Sequence, residues 1–142
     1  MIKKLFFFSA LALVATALFV TSCKKDCSFN QKDYVGSYFV DEDCTNSIPA
    51  TYEVNIVAGT TETDLKLANV WDSFGAAVNA TIDCEVITIA KQEPDGDKYF
   101  VEGSGTIAKT DGVTTITLNY TVTNENVTPA EVDNCSTTFV QN

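Results

Sequence analysis

Nucleophilic catalysis by serine or cysteine needs a base to take the proton, most often an imidazole, and this chain of 142 residues has no histidine. It has no arginine either, which removes the residue best shaped to clasp a phosphate or carboxylate. Carboxylates remain as acid–base candidates, namely Asp41, Glu42, Asp43, Asp95 and Asp97. Glycoside hydrolysis uses such a pair. All five, however, fall in or beside expected turns, where acids serve as solvated ends or local caps. Asp95-Gly96-Asp97 has the start of a calcium loop without its further ligands. Gly103-Ser104-Gly105 sits inside a strand pattern with no helix after it, so it does not form a phosphate cradle. The residues imply no cofactor and no metal, and the expectation is a protein that is not an enzyme.

Five cysteines carry the remaining covalent chemistry. Cys23 follows a positive pair, Lys3 and Lys4, then an apolar run from Leu5 to Val20, then two small residues, Thr21 and Ser22. Charge, apolar length, small residues and a thiol in that order resemble the signal of bacterial lipoprotein precursors. The resemblance implies that residues 1–22 are a signal peptide and that Cys23 is the lipidated N-terminus, bearing diacylglycerol and a fatty acyl chain such as palmitate. A membrane helix is the rival reading, but the 18 residues from Leu5 to Ser22 are at the short end for a span. Lys24 rather than an aspartate follows Cys23, which by the same resemblance implies an outer-membrane location. Lys25-Asp26 is similar to a surface-export signal, and the cell surface and the periplasmic face stay open as alternatives.

Removing residues 1–22 leaves 120, with all 19 acidic residues against seven lysines, a net charge of −12. Such a domain has no basic stripe for nucleic acid. It is also repelled by anionic headgroups, so membrane attachment rests on the N-terminal lipid. No motif names a protein partner. Cys27, Cys44, Cys84 and Cys135 are an even set in an exported chain, which reads as two disulfides with three possible connectivities. Zinc binding is disfavoured by wide, irregular spacings and the lack of any Cys-x-x-Cys.

The elements that must position these residues are strands. Turn signals recur every 8 to 14 residues and no helical period appears. Strands are predicted over Tyr34–Asp43, Thr51–Val57, Asp64–Val70, Ala76–Ile82, Val86–Lys91, Lys98–Lys109, Thr115–Thr123 and Asn134–Val140. Valine, isoleucine and threonine suit the half-buried pleated surfaces this requires. Glu93-Pro94-Asp95-Gly96-Asp97 is the clearest turn, and Asp111-Gly112 is a hairpin signal tolerant of positive φ. Gly103 and Gly105 on one face predict a bend or a close backbone approach. Tyr38, Tyr52, Tyr99 and Tyr120 fall on the more apolar faces, with Trp71 and Phe74 flanking a loop. In a small barrel such rings either fill the interior or line a ligand cavity.

The segment from Phe29 to Val40, with Gly36-Ser37-Tyr38 inside it, resembles the Gly-x-Trp opening of lipocalins, with tyrosine in place of tryptophan. The Gly-x-Tyr-x-Val strand, Gly103 to Ile107 and the final cysteine-containing strand are similar to small lipocalin-like lipoproteins of the Bacteroidota type. That resemblance and the strand count imply an all-β chain, an eight-stranded antiparallel up-and-down barrel, with a β-sandwich as the alternative. Residues 23–32 would be the lipidated tether and 33–142 the barrel domain. In such a meander Cys44 and Cys135 lie at one end, and Cys27 and Cys84 at the other, so those are the expected pairs. The functional expectation is a lipid-anchored envelope protein binding a small apolar or cationic ligand inside the barrel. Tyr38, Tyr52, Trp71, Tyr99 and Tyr120 would be its ligand-binding residues. The alternative is a non-catalytic interaction or structural module with a filled core.

Overall fold

A computed structural model describes residues 26–142. The expected signal peptide and Cys23 lie outside the described residues. Eight strands run in chain order: β1 (Gly36–Cys44), β2 (Ala50–Ala58), β3 (Asp64–Ala68), β4 (Val78–Asp83), β5 (Val86–Gln92), β6 (Tyr99–Thr110), β7 (Val113–Asn124) and β8 (Glu131–Gln141). Each pairs antiparallel with its sequence neighbour, and β1 pairs back onto β8 from Tyr38↔Gln141 to Cys44↔Cys135. The sheet is therefore a closed up-and-down barrel of lipocalin-like outline and not a two-layer sandwich.

Alternation decides what points inward. On β1 the buried row is Tyr38, Val40, Glu42 and Cys44, and on β7 it is Thr114, Ile116, Leu118, Tyr120 and Val122. These rows join Val54, Ile56, Leu65, Leu67, Ile87, Phe139 and others in one contiguous core. Eight strands enclose a space that side chains of this size fill.

Both expected disulfides are present. Cys44–Cys135 joins β1 to β8 at the end of the barrel we call distal, across 91 residues. Cys27–Cys84 fastens the N-terminal segment to the β4–β5 turn at the opposite, basal end. Part of the expected tether is thus built into the domain. The strand predicted from Tyr34 begins instead at Gly36, because a four-residue helix, α1 (Gln31–Tyr34), precedes it. Asn30 caps that helix through the Lys32 amide, and Asp33 accepts from the Asn30 amide, a reciprocal box. One turn is too short to show a period, so only the Asn30-x-x-Asp33 pair could have announced it. Gln31 then ties α1 to the β2–β3 loop through the Thr61 and Asp64 carbonyls. Buried Tyr34 donates to the Cys84 carbonyl at 2.9 Å and closes the base.

The glycine pair does what its spacing predicted. Gly103 and Gly105 on β6 face Tyr120 and Leu118 on β7. A β-carbon at Gly103 would strike the Asn119 carbonyl and Tyr120 Cβ, and one at Gly105 the Thr117 carbonyl and Leu118 Cα. These obstacles are mostly backbone and cannot swing away. Asp111 (φ 52°) and Gly112 (φ 86°) form the expected positive-φ hairpin turn.

Gly105→Ala should therefore cost about 2 kcal/mol or more in urea unfolding, in the range of overpacked cores. Gly96→Ala provides the contrast. It has φ +72° but open space around it, so only the left-handed backbone penalty of about 1 kcal/mol applies. Equal losses at both sites would contradict the close approach of β6 and β7.

Candidate functional site

The distal end is where chemistry-bearing side chains gather. Strand β3 stops at Asn69, whose left-handed backbone (φ 67°) turns the chain into a single 3-10 turn over Val70–Asp72. Trp71 (φ 60°) and Asp72 (φ 44°) share that region although neither is glycine. Backbone of this kind persists only where its surroundings hold it, and here they do. Asn69 Nδ2 donates to the Glu53 carbonyl and to Asp72 Oδ1. The Trp71 amide donates to the Tyr52 hydroxyl at 3.0 Å. Asp95 from the β5–β6 loop accepts from the Gly75 and Ala76 amides at 3.0 and 2.6 Å. Val70 and Phe74 drop into the barrel mouth and are buried, while the Trp71 ring stays half-exposed. It packs between Phe74 (centroids 5.7 Å apart) and Tyr99 (5.8 Å).

Beneath this plug lies a buried carboxylate. Glu42, only 7 % exposed, was expected to be a solvated turn acid. It instead continues the inward row of Tyr38 and Val40, because β1 extends to Cys44 and alternation carries position 42 inside. Tyr52 donates to Glu42 Oε2 at 2.5 Å, and Tyr120 donates to the same oxygen. Burial raises the Glu42 carboxyl above its ordinary range, opposed by the two tyrosine hydrogen bonds. Burial also raises both tyrosines, reinforced by the carboxylate they face.

Across the mouth stands the second buried acid, Asp133. Ser47 Oγ donates to it at 2.5 Å, the Asn46 amide at 2.8 Å and Thr45 Oγ1 at 3.1 Å. Burial raises its carboxyl, but these hydrogen bonds outweigh burial and hold it below the usual range. Both its oxygens are engaged in ordering the β1–β2 loop, so it does not form an acid–base pair with Glu42. The other acids behave as local fixtures. Asp41 accepts from Thr51, Asp97 from the Tyr99 amide, and Asp95 from the loop amides above. Glu42 lies close to Cys44 and Cys135, and Asp83 to Cys27 and Cys84. Their sulfurs are committed to disulfides and offer no thiolate to a metal.

The residues expected to bind ligand divide into two groups. Tyr38, fully buried, donates to the Tyr34 carbonyl at 2.9 Å in the lower core, and its hydroxyl is pushed up to about 12 by burial. Tyr52 and Tyr120 are pinned to Glu42. Trp71 and Tyr99 meet at the rim, where they line an open cleft of about 420 Å³ with Asn46, Ser47, Glu131 and Asp133. A larger concavity of about 1080 Å³ lies on the outer wall over β5–β8 and is bordered by short polar groups such as Ser104, Asn119 and Ser136. No protein-family model matches the chain, and no curated protein matches it significantly.

Because Glu42 is raised in the folded state, the native protein keeps this proton at pH values where the unfolded chain has lost it. Its contribution is full below the ordinary carboxyl range and is lost as pH rises through the raised native value. Stability of Glu42→Gln relative to the parent should therefore improve as pH increases from about 4 to about 7. Urea midpoints at each pH measure this, and a constant difference would mean that Glu42 titrates as it does in water.

Proposed function

We propose that this protein is a non-catalytic interaction module of the outer envelope, held at the membrane by a lipid on Cys23. The observation supporting the module reading is the filled interior. Inward side chains form one continuous core, and the hydroxyls of Tyr34, Tyr38, Tyr52 and Tyr120 are all spent on groups inside the protein. A barrel so packed acts as a rigid frame for its ends. The N-terminal segment enters at the base, where Cys27 is bonded to Cys84. A lipid on Cys23 would therefore anchor that end and direct the Trp71, Tyr99 and β1–β2 loop surface outward. In this reading the protein is a lipocalin-like lipoprotein of the Bacteroidota type that has exchanged a ligand cavity for a solid core. A small apolar or cationic ligand remains the second reading. The cleft beside Trp71 and Tyr99 supports it, with such a ligand at the mouth and not inside.

Two measurements test the proposal. Cys23→Ser should leave an unprocessed or soluble precursor that no longer partitions into detergent; normal processing and membrane binding of that variant would refute the anchor. Native mass spectrometry of the protein taken from its own envelope should give the polypeptide plus acyl chains alone. A retained molecule of a few hundred daltons that disappears in Tyr120→Ala would overturn the filled-core reading in favour of interior ligand binding.

A further inference from the structure

The distal cleft combines features that the plugging of a barrel does not require. A plug needs its rings buried, as Phe74 is at 4 % exposure. Trp71 and Tyr99 instead stand half-exposed side by side, Trp71 on a loop held in left-handed backbone at three non-glycine positions and Tyr99 at the start of β6. The remaining lining is anionic and rich in oxygen. Buried Asp133 and exposed Glu131 both line the cleft, and the Glu131 carboxylate has no hydrogen-bonding or ionic partner among the described residues. None of the residues lining the cleft is a lysine, and Lys98, next to Tyr99 in the chain, is not among them.

We propose that this cleft receives an alkylammonium group, which lies against the Trp71 and Tyr99 rings and pairs with Glu131. Aromatic faces attract a cation within about 6 Å of the ring centroid, and this protein already makes one such contact on its outer wall, where Lys91 Nζ lies 4.8 Å from the Phe100 centroid. An anion would meet two carboxylates and no lysine among the lining residues. The domain's net charge further concentrates cations near the mouth. The ammonium could belong to a free amine or to a lysine side chain of a partner polypeptide, since both present the same group. The inference rests on the readings above, a partner's lysine deepening the module reading and a free amine the second, and gives the distal end a chemical specificity.

Trp71 is the only tryptophan, so its fluorescence reports the site directly. The lipidated protein in neutral detergent is titrated with n-butylammonium chloride, with n-butanol as the neutral isostere, and with a blocked Gly-Lys-Gly peptide. A saturable response to butylammonium and none to butanol is expected, weakening as salt is added. Glu131→Gln and Tyr99→Ala should each weaken binding by about fivefold, whereas Tyr99→Phe, which keeps the ring, should retain it. Binding of the peptide at least tenfold tighter than the amine identifies a polypeptide lysine as the source; equal binding identifies a free amine. The proposal is overturned by no saturable response to either cation, an equal response to butanol, or unchanged binding in both weakening variants. Each of those results leaves the mass-spectrometric test of the filled core unaffected, so the two readings fail separately.

Discussion

The ladder between β1 and β8 is the constraint on which the rest depends. Once Tyr38 through Cys44 pair with Gln141 through Cys135, the sheet has no free edge and every strand gains an inside and an outside. Eight strands then enclose a volume that their own inward rows fill. The Cys44–Cys135 bridge lies at the last register pair of that ladder, where an unclosed sheet would otherwise fray. The glycine pair on β6 serves the same closure. It lets the backbone of β7 approach more closely than any side chain would allow.

Closure also obliges each inward polar group to find a partner, since water is excluded. Thr137 meets this by donating to the Leu118 carbonyl within the wall at 2.8 Å. Glu42 meets it with two tyrosines reaching across from β2 and β7. Tyr52 then connects the interior to the surface, because the oxygen that donates to Glu42 also accepts the Trp71 amide. The Tyr52 hydroxyl is therefore one of the contacts that register the rim loop against the core, and it links the backbone of half-exposed Trp71 to a buried carboxylate.

The two ends are built differently, and that asymmetry carries the functional argument. At the base, α1, Tyr34 and the Cys27–Cys84 bridge bring the N-terminal segment onto the barrel and seal it. At the distal end the seal is made by loop residues that leave aromatic and carboxylate surface accessible. A barrel with one end sealed by its N-terminal segment and one chemically distinctive end is the geometry behind the proposed presentation, since recognition is commonly carried by loops on a fixed frame.

Strand positions, turn chemistry and the role of Gly103 and Gly105 were legible in the chain because each follows from a local rule of period two or of glycine's missing side chain. The disulfide pairs were legible once antiparallel order was assumed, since strand direction alone places Cys44 beside Cys135 and Cys84 near Cys27. Glu42 was legible in part. Its phase with Tyr38 and Val40 put it inside, but the neighbouring Asp41 and Asp43 made the stretch read as a turn. Tertiary structure alone decided what covers the rings. Tyr38, Tyr52 and Tyr120 share an alternation that suits a cavity lining equally well, and only the folded barrel brings Tyr120 and Tyr52 together on Glu42. Likewise Trp71 and Tyr99, 28 positions apart, meet because the turn after β3 reaches the first residue of β6 at one rim. Local pattern specifies which face a residue occupies. Whether that face meets solvent, ligand or another side chain depends on contacts between strands distant in sequence.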